Sequence, residues 1–431
     1  MEKTGNRDLK RVYICHTYYH VYVALLKECA LFRGHGNEGI PVSCDPAETG
    51  SVCESGKNPG RALFLLSTFS NEFETLVDRL NASPLVGKAL PFEEHGEEFF
   101  TELQNWHKDR GNVFFNLLQR MVYFRKLAKK LAPYVPVDLR AFDGVFVFCD
   151  SDPIGYYLNA NRIPYHALED GLDCLKYYDT ARFDNRGHFA LKAKMAALNL
   201  IFIQNGYGKY CLDMEVNSLA ALPNPLPEGK GKEVSRLALA DQLTEPQREE
   251  LVKIFIPEAE ELLAQIAGFA SPQVQQSQPA ASSPQPGPGQ SDSPQEQRSQ
   301  PAPSSPEVRA SQSQASQPPT ALILTEPLCD LKTRERIFRD IVSEYCEGRI
   351  CIFKPHPRDT LDYSALFPHD IVLKGRFPME VLNLLPVAFD RVVSVFTVPD
   401  AIRFAKEKVF LGEDFMDRYE DPAIHRQNEA I

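Results

Sequence analysis

No apolar run in this sequence approaches the roughly 20 residues that a membrane-spanning helix needs. The runs present, such as residues 145–148 and 321–324, are far shorter. The opening residues are polar and charged, and no apolar segment of the secretory type follows them. A cytoplasmic protein, with at most peripheral contact at an inner membrane, is therefore expected. Positive charge is also in short supply. Lys and Arg number 47 against 58 Asp and Glu, a formal net charge of -11. That balance argues against nucleic acid as a partner, which needs clustered cations along a phosphate backbone. It leaves room for a local basic pocket. Ten cysteines are present, yet none forms a CxxC pair and no Cys/His group has zinc-ligand spacing. They read as reduced residues, several of them inside apolar strands.

The chain is long enough, at 431 residues, for two domains. Residues 271–320 are almost entirely Ser, Pro, Gln and Ala, with too little apolar surface to offset chain entropy. They predict a disordered linker between an N-terminal part, 1–270, and a C-terminal part, 321–431. In the first part, continuous apolar runs at 11–16, 61–67, 144–149, 163–168 and 199–204 predict strands, and helical spacing lies between them. One helix is expected over 19–32, and helical periodicity over 99–131 is broken near Gly111. Thr244-Glu245-Pro246-Gln247 has the form of a capping box and starts a helix to about residue 269, with a break at Pro257. The second part repeats the alternation, with strands at 321–325, 349–354, 391–396 and 408–411 and helices at 334–346, 379–385 and 401–406. Unbroken apolar strands alternating with helices predict parallel sheets covered on both faces. The fold class is α/β: two Rossmann-like, doubly wound domains facing a central cleft.

Ligands of open α/β sheets bind outside the carboxyl ends of the strands, so the residues just after each strand matter most. Glu169-Asp170-Gly171 follows one strand. Gly171 permits a tight turn, and a carboxylate there can act as general base on a hydroxyl. Taken alone, the triplet reads more simply as a solvated acidic turn. Lys354-Pro355-His356-Pro357-Arg358-Asp359 follows another. Two prolines stiffen the backbone around His356, and Lys354 and Arg358 add positive charge. That combination suits an anionic leaving group and is an uncommon coincidence for a surface turn. Ser394 and Thr397 precede the expected helix at 401, where an anion site and ordinary helix capping are equally good readings. His16 and His20 end the first strand and either line the cleft or serve as unliganded helix-start residues. Asp150-Ser151-Asp152 is a competing pattern, an acidic pair of the kind that holds a divalent metal against a nucleotide diphosphate. It leaves the second domain unexplained.

Taken together, these segments resemble glycosyltransferase family 52, the bacterial lipooligosaccharide sialyltransferases. The resemblance rests on CHTYYHVYVAL at 15–25, EDG at 169–171, LTEPL at 324–328, FKPHPRD at 353–359, FPMEVL at 377–382 and the segment 394–398. It implies a two-domain GT-B-type fold, CMP-sialic acid as donor, a glycan or glycolipid acceptor ending in a galactose-type sugar, and no metal or other cofactor. By the same resemblance Asp170 is the general base, Glu169 a supporting acid, and His356 the group that contacts the CMP phosphate. Thr325, Glu326, Lys354, Pro357, Arg358, Gly171, Ser394, Thr397, His16 and His20 then belong to the donor and substrate site. Two alternatives stand beside it: a transferase using another donor such as UDP-glucose, and a non-catalytic polysaccharide-assembly module.

Overall fold

The computed structural model describes residues 9–34, 61–68, 73, 75–108, 110–148, 150–151, 153–171, 175, 188–222, 226–270 and 318–421. The expected linker lies outside the described residues except for its last three, and so does Asp152. The first sheet is built from β1 (Leu9–Cys15), β2 (Arg61–Ser67), β3 (Lys88–Phe92), β4 (Gly144–Phe148), β5 (Tyr165–Leu168), β6 (Cys211–Val216) and β7 (Gly231–Glu233). The second is built from β8 (Thr320–Leu324), β9 (Ile350–Lys354), β10 (Ile371–Val372), β11 (Phe389–Ser394) and β12 (Ala405–Phe410).

The strand orders are β3-β2-β1-β4-β5-β6-β7 and β10-β9-β8-β11-β12. Every pairing is parallel. Counted from its own first strand, each sheet begins 3-2-1-4-5, the doubly wound Rossmann order. The architecture is thus two Rossmann-like lobes, the GT-B-type arrangement. The order reverses between β1 and β4 in the first lobe and between β8 and β11 in the second. At these switch points the crossing connections run to opposite faces, and a crevice opens at the carboxyl ends of the strands. Burial on both faces explains the unbroken apolar runs: every residue of β2 from Ala62 to Ser67 is buried.

Local chemistry sets the helix ends. Gly111 has φ +67°, a conformation that costs glycine little, and it breaks the helical run. Asn112 then caps the helix Val113–Leu131 by accepting the Phe114 N–H at 2.9 Å. Before the helix Glu245–Phe255, the Gln247 side chain accepts the Thr244 N–H at 3.0 Å. That helix stops short of Pro257 and another runs over Ala259–Ala270. Their buried Leu251, Ile254, Phe255 and Leu262 join an apolar cluster that includes Tyr22 and Leu25 of the first lobe and Leu382 and Phe389 of the second. Each such side chain contributes about 1.5–3 kcal/mol on burial. The lobes therefore meet across an apolar body, and the polar seam described below lies along it.

Two sequence expectations are overturned. Residues 199–204 are no strand; the sixth strand is Cys211–Val216. Asn199 and Asn205 both turn the chain with φ +57°, which interrupts any ladder. Ile201 and Ile203 are buried all the same, against Leu117 and Ala196, so burial without strand pairing mimicked a strand. Residues 401–406 form no helix either. A short 3-10 turn, Pro399–Ala401, leads directly into β12. Ile402 and Phe404 are buried with period two, and the Phe404 carbonyl accepts the Phe389 N–H at 2.7 Å.

Candidate functional site

The residues after β1 and β5 converge. β5 ends at Leu168, and Glu169, Asp170 and Gly171 turn away from it. Gly171 has φ +142°, outside the range of ordinary side-chain-bearing residues. His20, on the first turn of the helix Tyr18–Gly34, is completely buried and its Nε2 hydrogen-bonds Asp170 Oδ1. The ring is fixed on two sides. Its Nδ1 accepts the His16 N–H at 2.9 Å, and its face stacks on Phe148 at 4.2 Å. Because Nδ1 accepts, the neutral imidazole carries its proton on Nε2 and donates it to Asp170. Burial lowers the His20 pKa, and the Asp170 carboxylate opposes that shift. The Asp170 carboxyl remains 31% exposed, so one face is oriented by His20 while the group stays open to solvent.

Glu169 and His16 have inward-facing roles. Glu169 accepts the Asn217 N–H at 2.6 Å, tying the β5 tip to the β6 tip. Burial raises its pKa, and the Asn217 hydrogen bond and Arg236 pull it back. His16 is buried, with Nε2 2.8 Å from Glu94, whose carboxylate also accepts Ser67 Oγ–H and the Ile154 N–H. It orients His20 through its backbone. Asp150 is likewise engaged within the lobe, accepting the Tyr165 hydroxyl at 2.8 Å and the Asn205 N–H at 2.9 Å. Among the described residues no group of three or more His, Cys, Asp or Glu is placed to hold a metal ion.

In the second lobe the loop after β9 carries His356. Its Nδ1 accepts the Arg358 N–H at 3.1 Å, so here too the neutral ring keeps its proton on Nε2. Burial, then the Arg358 and Lys354 charges, push the His356 pKa down to about 4. The ring is therefore neutral near pH 7 and offers a hydrogen bond. The loop is held by more than its prolines. Asp359, with a fully buried carboxylate, accepts Arg334 Nη1 at 2.7 Å, Thr325 Oγ1–H at 2.9 Å and the Tyr363 hydroxyl at 2.6 Å. Thr325 Oγ1 in turn accepts the His356 N–H at 3.1 Å. Thr325 thus positions the loop. Pro357 lies between His356 and Arg358, which is exposed.

Lys354 does not extend into solvent. It is buried, donates to the Pro355 carbonyl at 2.9 Å, and lies 4.2 Å from the Phe377 ring centre. Burial lowers its pKa to about 7, with Glu380 opposing. Glu380 is the counterpart: burial raises its pKa to about 7, with Lys354 opposing. At the switch point of this lobe, Glu326 follows β8 and receives the N–H groups of Phe396 and Thr397, and the Thr397 hydroxyl, from the tip of β11. Ser394 Oγ–H donates to the Thr397 carbonyl at 2.6 Å. Of the two hydroxyls, that of Thr397 is thus taken by a protein carboxylate and that of Ser394 by a main-chain carbonyl. No helix follows to add a dipole.

Tyr19 lines a pocket between the lobes and feels acids of both. Burial pushes its phenol pKa far up, and Glu380 of the second lobe adds to that, as do Glu169 and Asp170 of the first. Tyr19, Tyr22, Asn217, Arg236 and Leu237 of the first lobe share a pocket with Glu380, Asn383 and Ala401 of the second. An Arg403–Asp241 ion pair joins the lobes nearby. Tyr19 and Glu380 lay within motifs quoted from the sequence, but they carried no signal of their own. Arg236 had none at all.

The family model of glycosyltransferase family 52 matches residues 307–412, roughly a quarter of the chain and including the strands β8, β9 and β11 with their tips. An uncharacterized protein of Haemophilus influenzae is 38% identical over 93 residues, 20% of this chain and 30% of the relative, so the match spans less than a third of that relative's length. Among solved structures, the GT-B domain of a sialyltransferase from Photobacterium damselae aligns with TM-score 0.43 and 11% identity, covering 93% of this chain and 100% of that one. A 2,6-sialyltransferase from Photobacterium sp. JT-ISH-224, in complex with CMP and lactose, aligns with TM-score 0.39 and 11% identity, covering 98% and 77%.

Proposed function

We propose, for a chain whose residues 307–412 match glycosyltransferase family 52, that it transfers sialic acid from CMP-sialic acid to a terminal galactose-type acceptor of a bacterial surface glycan. The reaction is a single displacement with inversion. Asp170 takes the proton of the acceptor hydroxyl, and the freed oxygen bonds to the anomeric carbon. The bond from that carbon to the phosphate oxygen breaks, and CMP leaves with the electron pair. His20 keeps one Asp170 oxygen occupied and so fixes the orientation of the carboxylate. His356 Nε2–H stabilises the phosphate oxygen as charge builds on it, a contribution of the preorganised electrostatic kind. The N–H groups of Phe396 and Thr397 now held by Glu326 are the second set of phosphate donors. With one phosphate to neutralise, these groups serve where a diphosphate would call for a metal.

The observation that supports this reading is what each lobe presents after a strand. One offers an oriented, solvent-reachable carboxylate, and the other an imidazole whose Nε2–H meets no acceptor among the described residues. Among the described residues no helix is long and apolar enough to cross a membrane. A glycolipid acceptor would then be met at the membrane periphery. The test is thermal protection by CMP, UDP and GDP. CMP alone should raise the melting temperature; protection by UDP and not by CMP would move the donor to a UDP-sugar. Slow hydrolysis of CMP-sialic acid without acceptor is expected as well, and its complete absence would favour a non-catalytic role.

A further inference from the structure

Arg236 is the one charged side chain of the interlobe pocket with a largely unmatched head group among the described residues. It is 6% exposed. Its Nη1 donates to the Val234 carbonyl at 3.1 Å, while its buried Nε and Nη2 have no hydrogen-bond partner. A buried guanidinium with two donor groups unmet is costly, by more than a kcal/mol for each unmet group. Such a feature persists where a ligand completes it.

The free groups specify the ligand's shape. Nε and Nη2 form one edge of the guanidinium fork. Elsewhere in this chain the same edge grips carboxylates: Arg11 holds Glu28 through Nε and Nη2 at 2.8 Å each, and Arg391 holds Glu407 through Nε at 2.8 Å and Nη2 at 3.0 Å. The open edge of Arg236 therefore fits a carboxylate, bound in bidentate fashion.

Its location specifies the rest. The Arg236 N–H donates to Asn217 Oδ1 at 2.9 Å, and the Asn217 N–H donates to Glu169, the neighbour of Asp170. Arg236 also acts electrostatically on Tyr19 and Glu169. It thus belongs to the mouth that presents Asp170, on the lobe opposite the phosphate donors. We propose that Arg236 binds the carboxylate of an acidic sugar donor, one whose carboxylate is attached to the reacting carbon, and so selects acidic over neutral sugars. This inference rests on the transferase reading above. The pocket as it stands, at about 30 Å³, holds little more than a water. Entry requires the second-lobe segment bearing Glu380 and Asn383 to move aside.

The experiment measures equilibrium binding of CMP and of CMP-N-acetylneuraminic acid, without acceptor, to the full-length wild type, Arg236→Gln and Arg236→Lys. The wild type should bind the sugar nucleotide more tightly than CMP. Arg236→Gln should weaken the sugar nucleotide about 10- to 100-fold, the range for charge-assisted hydrogen bonds, with CMP changed less than twofold. Arg236→Lys keeps the charge and loses the fork, so an intermediate weakening is expected. If Arg236→Gln does not fold, the lysine variant decides: unchanged sugar-nucleotide affinity there overturns the inference. Equal weakening of both ligands also overturns it, because the arginine would then be a strut between the lobes. A wild type that binds neither ligand sinks the transferase reading, and this inference with it. A wild type that binds CMP but gains nothing from the sugar acid sinks this inference alone.

Discussion

His20 and His356 are held alike and used differently. Each accepts a main-chain N–H at Nδ1, from His16 in one lobe and Arg358 in the other, and each so carries its neutral-state proton on Nε2. In the first lobe that proton is committed to Asp170. In the second it meets no acceptor among the described residues, and burial, Arg358 and Lys354 depress the ring's pKa against the opposing pull of Asp359. The same topology thus presents a carboxylate with its orientation already fixed on one side and, on the other, an Nε2–H donor with no acceptor among the described residues. A fold of this type supplies strand tips; the roles follow from which residue faces each imidazole.

The sharpest way to break that comparison is to remove its two ends. Asp170→Asn should lower turnover by about 10²–10⁴-fold while leaving the melting temperature nearly unchanged, since the carboxyl is partly exposed. His356→Ala should lower it by about 10²-fold or more. Initial rates on purified variants check both, and near wild-type turnover in either one removes that residue from the chemistry. Next comes the support of the second imidazole. Asp359→Ala leaves Arg334 charged, buried and unpaired, and should cost about 3–5 kcal/mol in a denaturant titration. A cost below about 1 kcal/mol would mean the loop is held by its prolines after all.

A smaller effect is expected at the first imidazole. His20→Gln retains a donor but loses the fixed ring, and should reduce kcat by roughly tenfold with little change in KM. A change confined to KM would make His20 a binding residue instead. The pH dependence is subtler still. The native His356 ring resists protonation until about pH 4, whereas the unfolded ring accepts a proton near its ordinary value. Its contribution to stability is therefore complete above about pH 6.5 and is lost as the pH falls toward 4. Denaturation of wild type and His356→Gln across that window should show a shallower slope for the variant. Parallel slopes would place the ring in contact with water. The proton NMR of His356 gives a companion reading: its midpoint should rise when CMP is added, because a bound phosphate favours the charged ring.

Much of this layout was legible beforehand, and particular residues show why. Residues 62–66 and 321–324 are apolar throughout, as strands covered on both faces require. The break at Gly111 and the capping box at Thr244 are local events, so local sequence suffices to read them. The failures share the opposite property. Residues 199–204 looked like a strand because burial and pairing leave the same apolar signature, and only the asparagine turns at both ends separated them. Residues 401–406 lost their helix to pairing with β11, a partner no local window contains.

The site divides in the same way. The Lys354–Asp359 loop stood out by residue type and by its place after a strand, whereas Glu169-Asp170-Gly171 taken alone read as a solvated acidic turn. The partners of both carried no local signal. That His20 reaches Asp170 across 150 positions, that Glu326 takes the N–H groups at 396 and 397, and that Lys354 is buried over the Phe377 ring all depend on contacts between distant segments.

Taken by itself, the order of residues determined two parallel α/β lobes and which loops stand at their strand tips, because periodicity and turn chemistry act over a few neighbours. Tertiary structure alone decided which side chains face one another, which charges are buried and which hydrogen-bonding groups of Arg236 go unmet. The reason is that hydrogen bonds and desolvation act through space, between groups that the chain itself keeps far apart.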